Sequence, residues 1–190
     1  MAKLCLFTIQ TIVMKRIVII IQLLIFSVVT FSQSASTLNS RGFRQAKRQQ
    51  FAKAIEFFSA AISADEFFTD AYYNRALAYS KLKQFDKSIA DYNKAISLRP
   101  HFKLAYNNRG ADKEEQKDYA GAIADYATAI EIDSTYARAY FNRGVTYMRM
   151  VQNENAVSDF KAALKQDPSF KAAQINLAIA EQRLRNSKQP

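Results

Sequence analysis

Thiols, imidazoles and turn-forming residues are nearly missing from this sequence. Cys5 is the only cysteine, His101 the only histidine, and tryptophan does not occur. One thiol forms neither an intrachain disulfide nor a thiolate metal site, and Cys5 lies in an N-terminal segment that reads as an address, so thiols say nothing about compartment. One imidazole excludes a cluster of histidine ligands. It follows Pro100 in a connection, where exposure to solvent is expected. Four glycines and three prolines are too few to punctuate many short strands, which favours helices before any pattern is read. A Gly-rich phosphate loop, H-E-x-x-H and G-x-S-x-G are all missing. The expectation is a protein that is not an enzyme, with no catalytic residue, no cofactor and no metal.

What is present is an apolar share of 49% in 190 residues, enough for one domain with its own core. Basic residues outnumber acidic ones 27 to 17, which raises nucleic acid or an anionic surface as partner. Three of those cations, Lys3, Lys15 and Arg16, belong to the N-terminal segment, and a modest basic excess remains without them.

From Met14 to Ser34 the chain reads MKRIVIIIQLLIFSVVTFSQS: two cations, an apolar run from Ile17 to Phe31, then small polar residues. That order is the order of a secretory signal. The run is 15 residues long and contains Gln22, short of the roughly 20 apolar residues a spanning helix needs. Residues 1–34 therefore read as a cleaved signal with its cut near Gln33 or Ser34, and Met14 as a better start than Met1. The rival reading is an uncleaved membrane anchor. Export to the periplasm or beyond argues against a nucleic-acid partner.

Sliding the chain against itself brings A-Y-Y-N-R-A at Ala71, A-Y-N-N-R-G at Ala105 and A-Y-F-N-R-G at Ala139 into register at a spacing of 34. The same step reaches T-L-N-S-R-G at Thr37 and A-Q-I-N-L-A at Ala173. Small residues recur in each first helix at Gly42, Ala76, Gly110, Gly144 and Ala178. In the second helices they recur seven apart, as Ala54 and Ala61, Ser88 and Ala95, Ala122 and Ala129, Ala156 and Ala163. Small side chains two turns apart on one face let two helix backbones approach closely. Helices of about 13 residues are marginal alone in water, so they must stack, and a last helix must cover the final apolar face.

These residues resemble the tetratricopeptide repeat family, whose unit is an antiparallel helix pair. The signature falls on Tyr72, Ala76, Tyr79, Tyr92, Ala95 and Pro100 in the second unit, and on Tyr140, Gly144, Tyr147, Phe160, Ala163 and Pro168 in the fourth. The first unit is the most divergent. The resemblance implies an all-α, right-handed superhelical solenoid over residues 35–186. Its units fall at about 35–68, 69–102, 103–136 and 137–170, followed by a capping helix at 171–186 and a tail at 187–190. It implies a non-catalytic scaffold that binds a protein or peptide, of unspecified identity, along a concave face. The alternative is a membrane-associated subunit of an envelope assembly, held by an uncleaved anchor or by basic ends. Oligomeric state is left open.

Recurring polar residues carry the finer expectations. Arg75, Arg109 and Arg143 stand 16 residues before Asp91, Asp125 and Asp159, which reads as a bidentate staple inside each hairpin. Arg41 faces Phe57 instead. Asn74, Asn108, Asn142 and Asn176 recur on the first helices, where each amide either meets a bound peptide or bonds to the next helix. By the family resemblance, the groove is lined by Tyr73, Leu77, Lys81, Leu104, Asn107, Ala111 and Glu114. It continues through Arg138, Phe141, Val145, Met148 and Arg149 to Ile175 and Ile179. The lysines and arginines with which some family members clamp a C-terminal carboxylate are not kept, since Tyr73 and Leu77 stand at the first pair.

Overall fold

The computed structural model describes residues 14, 15, 17, 18 and 34–187. The expected signal or anchor lies almost wholly outside the described residues, as do residues 188–190. From residue 34 onward the described chain is helix and turn. Helix α1 covers 34–47, and α2 (Phe51–Ala64) returns against it. Three further pairs follow: α3 (Thr69–Lys81) with α4 (Phe85–Leu98), α5 (Lys103–Glu115) with α6 (Tyr119–Ile132), and α7 (Ala137–Arg149) with α8 (Asn153–Gln166). Helix α9 (Lys171–Ser187) closes the stack. Among the described residues no helix is long and apolar enough to cross a membrane.

The tight turn inside each hairpin explains how so few glycines suffice. Gln49, Lys83, Lys117 and Val151, spaced 34 apart, take the left-handed backbone conformation with φ of 59°, 58°, 66° and 61°. In the second unit the N–H of Gln84 bonds the carbonyl of Tyr79 at 2.9 Å and that of Lys83 bonds Ser80 at 2.9 Å. This double closure, the Schellman motif, satisfies carbonyls that the end of a helix leaves orphaned. The same bonds recur at Gln50, Asp118 and Gln152. The turn between hairpins uses side chains instead. Asp65, Asp133 and Asp167 each accept a bond from the backbone N–H two residues on, at 2.9–3.0 Å.

Each hairpin core is one aromatic ring under one small residue. Phe58, Tyr92, Tyr126 and Phe160 are fully buried on the second helices. They lie under Gly42, Ala76, Gly110 and Gly144 of the first helices. A Cβ on Gly144 would stand 2.8 Å from Phe160, and one on Gly42 only 2.6 Å from Phe58, which is why the helices need so small a residue there. Ala54, Ala61, Ala95, Ala122, Ala129, Ala156 and Ala163 are fully buried, as is Ser88. Ala178, at the same place in α9, is exposed, since among the described residues no second helix packs over it. The cap instead buries Ala173 and Ala180, the latter against Ala156 and Phe160.

The arginine staples form. Arg75 donates from Nε and Nη2 to the two carboxylate oxygens of Asp91, both at 2.7 Å. Arg109 holds Asp125 at 2.8 and 2.5 Å, and Arg143 holds Asp159 at 2.8 Å through both nitrogens. The third nitrogen reaches the preceding hairpin, from Arg75 Nη1 to Ser59 at 2.9 Å and from Arg109 Nη1 to Asn93 at 2.5 Å. One guanidinium thereby ties together three helices, and its planar fork sets their register.

Candidate interaction groove

Which face is concave follows from which helices touch. Successive first helices meet one another, α3 with α5, α5 with α7 and α7 with α9, whereas successive second helices do not meet among the described residues. The stack therefore curves with the first helices on its inner, closely spaced side. Each unit returns the same first-helix register, so Leu77, Ala111, Val145 and Ile179 form a line along that side. Lys81, Glu115, Arg149 and Arg183 form the next line, four residues on.

Two recesses open here. One, of about 430 Å³, is walled chiefly by three first helices, with Lys81 at the end of α3, Ala111, Asp112 and Glu114 of α5, and Phe141, Asn142, Val145 and Arg149 of α7, and is completed by Phe85 of α4 and Tyr126 of α6. The other, of about 180 Å³, is apolar, formed by Phe43, Ala46, Phe51, Phe58, Leu77 and Ala78 together with Asn74 and Lys81. Lys81 lines both, so they adjoin. Nine of the residues expected in the groove (Asn74, Leu77, Lys81, Ala111, Glu114, Phe141, Asn142, Val145 and Arg149) thus share one continuous surface. Arg138 and Ile175 are exposed on α7 and α9, outside these recesses.

The recurring asparagines bond between helices. Asn74 Nδ2 donates to Asn39 Oδ1 at 3.0 Å, Asn108 to the Tyr73 hydroxyl at 3.0 Å, and Asn142 to Asn107 Oδ1 at 2.9 Å. The place that would receive Asn176 is held by Phe141, which has no acceptor, and Asn176 bonds the Ala172 carbonyl of its own helix at 2.9 Å. Asn107 also donates to Asn108, at 3.1 Å. One chain of side chains therefore runs from α7 to α3.

Two groove expectations are corrected by packing. Asn107 is 1% exposed and belongs to this chain of side chains. Glu114 keeps its place on the recess wall, although it is only 7% exposed. Met148 packs on the Ala156, Phe160 and Ala180 cluster. Tyr73 and Phe141 are half-buried wedges between hairpins, with ring centroids 4.7 Å from Phe102 and 4.8 Å from Phe170.

Helix α5 carries two buried carboxylates, of which sequence reasoning placed Glu114 in the groove and passed over Asp112. Asp112 occupies the column that Ala78, Thr146 and Ala180 fill in other units, and it is 3% exposed. Burial pushes its pKa up, and hydroxyl bonds from Ser80 at 2.6 Å and Ser88 at 2.5 Å oppose that rise. Glu114 accepts from Thr146 at 2.8 Å, from the Tyr126 hydroxyl at 3.2 Å and from Arg149 Nε at 2.8 Å. Arg149 therefore reaches the groove already paired. Burial and the neighbouring Glu114 drive the Tyr126 phenol far above its ordinary range. For Asp112, an acid in a column of otherwise small residues at spacing 34 was the available signal. Among the described residues no cluster of potential metal ligands occurs.

Comparison with known proteins agrees with this architecture. Residues 69–102 and 137–170 match the tetratricopeptide repeat model, and residues 115–151 match a further TPR repeat model. No curated protein sequence matches. Among solved structures, the fold is similar to MamA, with a TM-score of 0.72 at 19% identity over 80% of this chain and 82% of that one. It is similar to PilF of Pseudomonas aeruginosa, with a TM-score of 0.75 at 19% identity over 83% and 72%. It is also similar to the OM64 TPR domain of Arabidopsis, with a TM-score of 0.58 at 28% identity over 60% and 94%. The chain carries tetratricopeptide repeats and folds as the all-α helical-repeat solenoid that such repeats build.

Proposed function

We propose that this chain is a non-catalytic scaffold that works outside the cytoplasm and holds a segment of a partner protein along its inner face. The repeat family supports a role in protein interaction. What carries the choice of face is the pair of adjoining recesses meeting at Lys81, one apolar and one mixed in charge. Apolar hollows anchor side chains of a bound segment, while the charged line beside them fixes its direction. Leu77 and Val145 stay half-buried with no described side chain covering them fully. Export rests on the cations, apolar run and small residues between Met14 and Ser34.

A photo-crosslinking residue placed at Lys81 tests the face, with the exposed Glu131 of α6 as its outer-face counterpart. A discrete crosslinked partner from position 81 and none from 131 is expected. Crosslinking from 131 alone would reject the groove. N-terminal sequencing of the exported chain tests the address, and an intact Met1 or Met14 would reject cleavage.

A further inference from the structure

The first unit departs from the charge pattern of the other three. Arg41 stands where Arg75, Arg109 and Arg143 stand, but Phe57 occupies the place of the stapling aspartate. Arg44 follows three residues later on the same stripe of α1, and Arg48 stands in the turn that ends the helix. With Gln45 and Phe57 these arginines line a recess of about 410 Å³ that contains no acidic residue. None of the three joins an ion pair among the described residues. No carboxylate side chain waits elsewhere in the sequence, because all 17 acidic residues lie between Glu56 and Glu181.

Three guanidiniums around one recess repel one another, and no carboxylate among the described residues pairs with them. In the other units the same arginine column earns its place by holding an aspartate. Guanidinium forks match the oxygens of a phosphoryl group, which accepts several charge-assisted bonds at once. We propose that the recess between Arg41, Arg44 and Arg48 is an anion site that takes a phosphoryl group. It lies apart from the groove and does not depend on what the groove holds. Phosphoryl oxygens reach such a site either on a soluble phosphate compound or on the headgroup of an anionic lipid.

The full chain is tested at low salt against inorganic pyrophosphate by calorimetry. In parallel it is tested by co-sedimentation with vesicles of phosphatidylglycerol and phosphatidylcholine, and with vesicles of phosphatidylcholine alone. The variant is Arg41→Gln/Arg44→Gln/Arg48→Gln. Its charge-matched control, Lys53→Gln/Lys165→Gln/Lys171→Gln, changes three exposed lysines that form no described ion pair. All forms carry the same N-terminal apolar run, so its partition into lipid cancels in the comparison. At least one anionic probe should bind the wild type, and the arginine variant should lose about tenfold or more in affinity, roughly 1.4 kcal/mol, while the control loses little. Binding of pyrophosphate points to a soluble ligand, and binding of the anionic vesicles alone points to lipid. The proposal fails if neither probe binds the wild type, or if both variants lose affinity equally, since net charge would then explain the effect. Circular dichroism checks that the variants remain folded.

Discussion

The first hairpin and the three that follow share a backbone and differ in charge. Gln49 makes the same left-handed turn as Lys83, Lys117 and Val151, and Phe58 lies beneath Gly42 as Phe160 lies beneath Gly144. Yet Arg41 has no aspartate to hold, whereas each later arginine binds one carboxylate through two nitrogens. The hairpin shape thus depends on small-against-aromatic packing and on the turn. The staple adds register between elements that already pack. Where it is missing, the arginine is left for another use.

The largest effect that sharpens this comparison is removal of the ring. Phe160→Ala is expected to cost about 3–5 kcal/mol in chemical denaturation, because its site lies between α7, α8 and the cap and cannot collapse. Phe58→Ala should cost less globally, as an end unit frays before the stack unfolds. Equal losses would deny that the first hairpin is energetically separable.

Next comes the staple itself. Asp125 has a side chain 5% exposed and holds both Arg109 and Lys113, the latter at 2.9 Å. Asp125→Ala should destabilise by about 3 kcal/mol by stranding two half-buried cations, whereas Arg41→Ala should fall within about 0.5 kcal/mol of the wild type. A double-mutant cycle of Arg109 and Asp125 should show coupling. Its absence would reduce the recurring pair to decoration.

The smallest effect concerns the shared turn. Val151 is β-branched in a conformation that disfavours any Cβ, and the residue is 77% exposed. Val151→Gly should raise the midpoint of unfolding by about 1 kcal/mol of stability, while the same change at Lys83 should yield less. Loss of stability at both positions would show that chain entropy outweighs strain in this turn.

Most of the fold was legible because the spacing of 34 repeats whole columns, and a column reveals its environment. Gly42, Gly110 and Gly144 marked close approach, and the Arg–Asp spacing of 16 marked the staple. The groove was less legible. Asn107 lies in the same column as Tyr73 and Phe141 but is short enough to sink into the stack and accept from Asn142. Met148 bends onto the final aromatic cluster. Column membership gives the direction of a Cβ but not how far a flexible side chain turns from it.

By itself, the order of residues determined that this chain would form short amphipathic helices in repeated pairs, since its period sets which side chains share a face. Only the tertiary structure decided which polar groups remain free. A hydrogen bond such as that between Asn142 and Asn107, or the burial of Glu114 beneath Thr146 and Arg149, depends on residues more than 30 positions apart meeting at a particular distance. Local pattern does not encode that distance, because it is set by the summed packing of every hairpin in between.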